Sequence, residues 1–176
     1  MALPFFTIGH STRSIPDFVD LLRAGRVELV IDIRTVPRSR TNPQFNADSL
    51  PDALADYQVA YHRIEALGGL RGRSHDVPPA MNGWWQNRSF HNYADYALSD
   101  AFRTGLGELV TLGRERRTAM MCAEAVWWRC HRRIVADHLL AAGESVFHLM
   151  EGDRLEPAKL SSGASVGDGV VTYPAT

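Results

Sequence analysis

The sequence predicts an α/β domain of three layers, in which helices cover both faces of a mostly parallel sheet of about five strands. Short apolar runs alternate with amphipathic segments along the chain, and this alternation favours parallel pairing with helical crossovers. The run over residues 27–33 is almost entirely apolar, as expected for a strand that is covered on both faces. The length of 176 residues is typical of one domain, which we expect to occupy residues 1–150.

Capping and turn signals bound the elements of the first half of the chain. Ser14 followed by Asp17 resembles a capping box, and Gly25 is a suitable end for that helix. Asp48 or Ser49 can cap a second, shorter helix. In chain order we expect a strand over 5–8, a helix over 14–25, a strand over 27–33, the short helix, and a strand over 59–63.

The second half begins with a long irregular insertion, because residues 67–87 are rich in glycine and proline. Long loops in compact domains are usually functional or mobile. Ser99 and Asp100 form a cap signal between two helical patterns. We then expect helices over 90–98 and 101–112, a strand over 118–121, a helix over 130–141, a strand over 145–150, and a tail over 151–176 that holds one edge strand at 170–173 or is loosely attached.

Composition limits the possible partners and the cellular location. The formal net charge of -1 argues against a generally basic nucleic-acid binder, so any basic patch must be local. No apolar run approaches the ~20 residues that a membrane span needs, and we expect no membrane partner and a cytoplasmic location. The sequence leaves the cofactor and the oligomeric state open.

In a reducing cytoplasm Cys122 and Cys130 are expected to be free thiols or metal ligands rather than a disulfide.

Chemically capable side chains follow four predicted strands at their carboxyl ends. In an open parallel sheet this edge is where ligands bind. We therefore expect one shared pocket there. The side chains concerned are His10 and Ser11 after the first strand, Asp32 with Arg34, Arg38 and Arg40 after the second, His62 and Arg63 in the third, and Cys122 and Glu124 after the fourth.

The segment from Cys122 to Arg133 carries the sharpest chemical signal. A thiol at a helix amino-terminus beside Arg and His favours its thiolate form, which is the nucleophilic form. Cys130, or else Cys122, is the candidate nucleophile, and His10 or His131 the candidate for proton transfer. The alternative is that both cysteines are small buried apolar residues. Glu124 and Asp32 complete the set of candidate catalytic residues as acid, base or ligand.

Metal binding would use the same atoms, with Cys122, Cys130 and His131 as ligands. The seven residues between the cysteines do not match a zinc knuckle, and adjacent Cys and His on one helix turn point in different directions. A phosphatase-like cradle is also disfavoured, because the segment after Cys122 lacks glycine and contains Glu124.

A second segment favours an anionic partner. Three arginines follow Asp32 in a proline-containing loop, and guanidinium groups suit phosphate or carboxylate. Solvated surface arginines are the alternative interpretation. The candidate substrate-binding residues are Ser11, Arg34, Arg38, Arg40 and Arg132.

Four motifs together resemble the bacterial and archaeal family known as domain of unknown function 488. The resemblance extends over about residues 5–150 and implies a three-layer α/β domain in which the two Cys, the His and the Arg motifs serve an enzymatic role. It implies no particular reaction. The motifs are residues 7–11 (TIGHS), residues 32–40, Tyr61 with residues 67–69 (LGG), and Cys122-Ala123-Glu124 with Cys130-His131-Arg132.

The leading functional hypothesis is an enzyme that uses a Cys thiolate with His and Arg on an anionic, phosphate-bearing substrate, such as a nucleotide or a nucleic-acid end. One alternative is a non-catalytic module that binds a nucleotide or a nucleic acid. The other is a metal-binding protein with Cys and His ligands.

Overall fold

The central feature of the fold is a six-stranded sheet in the order β3-β2-β4-β1-β5-β6. A computed structural model of the chain describes residues 2–175. Five strands are parallel and β6 is antiparallel to β5, which confirms the mostly parallel sheet. The strands are β1 (Phe5–Gly9), β2 (Leu29–Asp32), β3 (Ala60–Arg63), β4 (Thr118–Cys122), β5 (Val146–Met150) and β6 (Arg154–Pro157).

Helices cover both faces of this sheet, as the sequence predicts. Within residues 2–175 the α-helices are α1 (Ile15–Ala24), α2 (Leu50–Ala55), α3 (Arg88–Tyr96), α4 (Asp100–Glu115) and α5 (Arg132–Ala141). Phe6 of β1 packs in one core with α1 and α2, whereas Phe5 packs in the other core with α3, α4 and α5. Successive residues of a strand point to opposite faces, so the fold has three layers. None of the helices in this part of the chain is long and apolar enough to cross a bilayer.

Side-chain caps fix where the helices begin. The Ser14 side chain accepts the backbone N–H of Asp17 at the start of α1, and Ser99 caps α4 by accepting from Phe102. Both caps were predicted from the sequence. The third helix starts at Arg88 rather than at residue 90, because Asn87 caps it through the N–H of Phe90. Asparagine is among the residues most favoured at this position.

The insertion after β3 is irregular, as predicted, apart from 3-10 turns at Glu65–Leu67 and Pro79–Asn82. The side chain of Tyr93 in α3 fastens it, because the hydroxyl donates to the carbonyl of Leu67 at 2.8 Å. The insertion thereby lies over the end of the sheet where β2 and β4 finish.

The tail differs from its prediction in which segment extends the sheet. The antiparallel edge strand is β6, and residues 170–173 contribute instead to a separate two-stranded sheet of β7 (Ser165–Gly167) and β8 (Val170–Thr172). The tail is packed against the domain, since the Tyr173 hydroxyl donates to Asp137 of α5 at 2.7 Å. Burial of Val171 and Tyr173 explains why the tail is attached despite its glycine content.

Candidate active site

The carboxyl ends of β1, β2 and β4 lie side by side. Gly9 is in register with Cys122, and Asp32 with Met121. The segments that follow stay together, because the His10 amide donates to the Cys122 carbonyl and the Ile33 amide to the Met121 carbonyl. Side chains that are far apart in the sequence thus meet at one edge of the sheet.

Two free, buried thiols face each other at this edge. Cys122 ends β4, and Cys130 lies two residues before α5 in an extended conformation. The Cys130 sulfur accepts the backbone N–H of Arg132 at 3.4 Å, much as a capping side chain does at a helix start. The Cys122 thiol donates to the carbonyl oxygen of Glu124 at 3.8 Å, and its sulfur accepts from the Arg132 guanidinium. The strand end and the helix start together hold the pair.

Arg132 is fully buried beside the two sulfurs. Its Nη1 lies 2.7 Å from Cys122 Sγ and 2.6 Å from the Glu124 carbonyl, and Nη2 donates to the Ala125 carbonyl. No carboxylate in residues 2–175 forms an ion pair with it. A buried charge is costly unless a charge of opposite sign is near. The thiols that contact Arg132 can supply that charge when one of them ionises.

The two thiols differ in how readily they ionise. Burial opposes ionisation of Cys130, but the neighbouring Cys122 thiol and the charge and N–H groups of Arg132 outweigh it and lower its pKa to about 7. Burial, together with the neighbouring Cys130, raises the pKa of Cys122 well above its ordinary value. Of the two thiols, Cys130 is therefore the one whose surroundings favour ionisation, while the Arg132 guanidinium contacts the sulfur of its neighbour Cys122.

His131 is oriented toward Cys130 by the end of β2. Its Nε2 lies 2.9 Å from the carbonyl oxygen of Ile33, which can only accept, so Nε2 carries a proton. Its Nδ1 lies 3.5 Å from Cys130 Sγ. Burial lowers the pKa of His131, which favours the neutral ring. A neutral ring with its proton on Nε2 leaves Nδ1 free to accept a proton from Cys130.

Asp32 and Arg34 form a second buried group beside the thiols. Arg34 Nε donates to Asp32 Oδ1 at 2.9 Å and Nη2 to Oδ2 at 2.7 Å. Asp32 also accepts the Tyr61 hydroxyl. This bidentate pairing occupies the Asp32 carboxylate and gives it the role of holding Arg34 rather than a free acid or base.

His10 contacts this ion pair and not the thiols. Its ring stacks on Phe45 at 4.4 Å between centroids, Nδ1 donates to the Ser11 carbonyl, and Nε2 accepts from Arg34 Nη1 at 3.2 Å. Arg34 Nη2 also donates to the Phe45 carbonyl. Four of the five Arg34 N–H groups are thereby used, and one Nη1 N–H remains for a ligand.

Two adjoining cavities open over these groups, and Arg34 and Glu124 line both of them. The thiol pocket, of about 320 Å³, contains both cysteines and His131, with Gly69, Leu70 and Phe90 of the insertion and α3. The polar pocket, of about 490 Å³, contains His10, Ser11 and Arg38. Arg40 is exposed and lines neither cavity, and Arg132 lies beneath the thiols rather than in either cavity.

One comparison with known proteins identifies the family. The family model described as "Domain of unknown function DUF488" matches residues 14–139. The chain belongs to this family. The match includes both cysteines, His131 and the segment from Asp32 to Arg40, and it starts after His10 and Ser11. No curated protein and no solved structure matches the chain.

Some residues of this DUF488 site were not predicted. Phe90 and Gly69 line the thiol pocket, and Thr7 accepts from Arg132 Nε at 3.2 Å. A threonine inside the otherwise apolar β1 is a recognisable signal, because a buried hydroxyl needs a partner. Gly69 belongs to the LGG motif of the resemblance, but neither it nor Phe90 has a local signal for this pocket, since their position depends on how the insertion folds back over the sheet.

The DUF488 site does not provide a metal-ligand cluster. Among residues 2–175 no group of three or more His, Cys, Asp and Glu side chains is placed to hold a metal ion. The alternative ligand set of Cys122, Cys130 and His131 therefore has no support from the geometry, in which His131 Nε2 is taken by the Ile33 carbonyl.

Proposed function

We propose that the chain is an enzyme in which the Cys130 thiolate attacks an anionic, phosphate-bearing substrate, either a nucleotide or a nucleic-acid end. One observation carries the proposal: Arg132 is fully buried, has no carboxylate partner among the described residues and contacts the thiol pair. A structural role alone would be served at lower cost by an apolar side chain. A buried guanidinium stabilises a thiolate that forms beside it during catalysis.

Three groups around Cys130 have distinct tasks in this proposal. His131 Nδ1 takes the proton of the Cys130 thiol, and the sulfur forms a bond to an electrophilic atom of the substrate. The leaving group departs with its electron pair and receives that proton from His131. The neighbouring Cys122 thiol and the buried charge of Arg132 are the other two groups, and both favour the thiolate before the attack.

The polar pocket is the proposed site of the anionic group. Arg38 is exposed there and forms no ion pair within residues 2–175. The remaining N–H of Arg34 and the hydroxyl of Ser11 are further donors on its walls, as are the side chains of Thr12, Ser39 and Asn42. Glu124, at the junction of the two cavities, would repel a phosphate and is better suited to a hydroxyl or amino group.

Thiol reactivity as a function of pH tests the nucleophile. We expect iodoacetamide to modify Cys130 with a rate that rises through about pH 7, because the thiolate is the reactive form. Cys130→Ser should abolish this pH-dependent modification, and Cys122→Ser should preserve it. Cys122→Ala removes the neighbouring thiol that helps to lower the pKa of Cys130 and should move the midpoint to higher pH. A midpoint near the ~8.5 of a free thiol, or no reaction at Cys130, would contradict the proposal.

Protection from this modification tests the anion. We expect inorganic phosphate and a nucleoside monophosphate to slow alkylation of Cys130, and Arg38→Ala to weaken this protection. Arg23→Ala is the matched control, because Arg23 is exposed in the last turn of α1 and pairs only with Asp20. Equal protection of wild type and Arg38→Ala would show that Arg38 does not bind the anion.

The non-catalytic module is the alternative that these experiments separate. It predicts protection by phosphate compounds together with a Cys130 that ionises like a free thiol. Nucleophilic chemistry also requires both thiols to stay reduced, which fits the cytoplasmic location that the sequence predicts.

A further inference from the structure

A third cavity, of about 560 Å³, lies beside the thiol pocket and is not used by the proposed function. It lies between the insertion and the start of α3, and we call it the insertion cavity. Four basic or potentially basic side chains line it: Arg73, His75, Arg88 and His91. Such a concentration is unexpected in a chain with a net charge of -1, and it indicates a local site for an anion.

The guanidinium groups of this cavity are available for a ligand. Arg73 and Arg88 are exposed, and neither forms an ion pair within the described residues. Asp95 is the carboxylate on the wall. It accepts the Asn82 amide at 2.7 Å and lies 3.6 Å from His91 Nε2, so its charge is largely engaged by its neighbours.

Two segments of the chain, the insertion and α3, contribute residues to both the insertion cavity and the thiol pocket. On the insertion, Leu70 lines the thiol pocket and Arg73 the insertion cavity. On α3, Phe90 lines the thiol pocket and Arg88 the insertion cavity. Three residues of extended chain span at most about 10 Å. A substrate whose reacting unit occupies the thiol pocket can therefore place an adjoining charged unit among these arginines.

Aromatic side chains accompany the arginines along this path. Phe90, which is half-buried, lines the thiol pocket. Its ring packs at 5.1 Å between centroids on Trp85 of the insertion cavity, which is buried and covered by the Arg133 guanidinium, so Phe90 is the ring available to a base. Aromatic rings beside arginines are typical of sites for single-stranded nucleic acid, where bases contact the rings and phosphates the guanidinium groups. An acidic peptide would use the arginines but would have no planar base for the aromatic side chains.

We infer that the insertion cavity binds a phosphate next to the reacting unit, so that the substrate is a single-stranded oligonucleotide rather than a free nucleotide. This inference rests on the proposed function for the position of the reacting unit. The polar pocket then receives the phosphate on one side of that unit and the insertion cavity the phosphate on the other.

Binding of a labelled single strand of about 10 nucleotides, as DNA and as RNA of the same sequence, tests the inference. We expect the double variant Arg73→Ala/Arg88→Ala to lose about tenfold in affinity at low salt and to show a shallower salt dependence, because two phosphate contacts are lost. Protection of Cys130 by a nucleoside monophosphate should be unchanged. Arg23→Ala, at the far end of α1, should behave like wild type in both measurements.

Three outcomes would overturn the inference: equal affinity for the monophosphate and the oligonucleotide, unchanged oligonucleotide affinity in the double variant, or equally tight binding of an acidic peptide of similar charge. Failure of the proposed function would look different. Because Cys130→Ser leaves the insertion cavity intact, it should retain oligonucleotide binding, and such binding together with an unreactive Cys130 would contradict the nucleophile alone.

Discussion

Arg132 and Cys122 are in direct contact, with Nη1 of the guanidinium 2.7 Å from the sulfur. The same guanidinium donates to the carbonyls of Glu124 and Ala125 and to the hydroxyl of Thr7. Its fork therefore connects β1, the end of β4 and the loop that leads to Cys130. One buried side chain thus both joins these segments and sets the charge of the thiol pair.

Arg132→Lys should weaken both roles. Lysine keeps a positive charge but lacks the planar fork, so several of these acceptors lose their donor while they remain buried. We expect the free energy of unfolding to fall by about 3 kcal/mol and the pKa of Cys130 to rise. Urea unfolding and the alkylation profile measure the two effects. Arg23→Lys, in an exposed pair with Asp20, should change stability by less than about 0.5 kcal/mol, and a similarly small effect at Arg132 would contradict its role.

Asp32→Asn tests whether Asp32 is structural or takes part in proton transfer. Asp32 is completely buried and holds Arg34 through both oxygens, so the variant leaves a buried guanidinium without its counter-charge. We expect a loss of roughly 3–5 kcal/mol in the free energy of unfolding, measured with urea. Asp20→Asn, in the exposed pair with Arg23, is the control. Wild-type stability combined with lost activity would instead assign Asp32 to the chemistry.

The sequence was a good guide to the sheet and to the thiols. Cap signals at Ser14 and Ser99 and the continuous apolar runs are local, so helix starts and strands could be predicted from neighbouring residues. The closeness of Cys130 to a helix start was also local information, although the helix begins at Arg132 rather than at Cys130. The convergence of the β1, β2 and β4 ends follows from parallel pairing, which the alternation of elements predicts. His62 of β3 was also predicted at this site but pairs instead with Glu108 of α4.

Pairing between side chains was less accessible from the sequence. Asp32 and His10 follow strand ends as catalytic residues would, and only the coordinates reveal that both are engaged with Arg34. The sequence also grouped Arg132 with Arg34, Arg38 and Arg40 as a substrate-binding residue, because its burial depends on how α5 packs over β1 and β4 and has no local signal. The edge strand was misplaced because β6 is short and mostly exposed, with charged residues at two of its four positions, as edge strands tend to be.

His138→Leu should make the protein less sensitive to acid. Burial lowers the pKa of His138 to about 4, whereas in the unfolded chain the ring titrates near its ordinary 6.5. Between pH 6.5 and 4 the unfolded state binds more protons, so the free energy of unfolding falls as the pH falls, by roughly 3 kcal/mol for this group. Leucine removes this dependence and also a buried Nε2 that has no partner.

Urea unfolding at several pH values between 4 and 7 measures this effect. The quantity to compare is how steeply the free energy of unfolding changes with pH, rather than its value at any one pH. His62→Gln is the control, because His62 is exposed. Parallel pH profiles for wild type and His138→Leu would show that His138 does not contribute to acid sensitivity.

Gly69→Ala should disturb the site through His131. A Cβ at position 69 would lie 2.5 Å from His131 Nδ1, closer than non-bonded atoms approach, so the ring must move away from Cys130 and from the Ile33 carbonyl. The added methyl group also narrows the thiol pocket, which Gly69 lines. We expect slower alkylation of Cys130 at pH 7 and a loss of roughly 1–3 kcal/mol in the free energy of unfolding.

Gly72→Ala is the matched control in the same insertion, because a Cβ there would meet no atom within 4 Å. It should leave both alkylation and stability at wild-type levels, within about 0.5 kcal/mol. If both alanine variants react alike with iodoacetamide, the insertion does not hold His131 in place and proton transfer must be assigned to another group. If Gly69→Ala alone is slow, the insertion is part of the active site, because it fixes the ring that faces the thiolate.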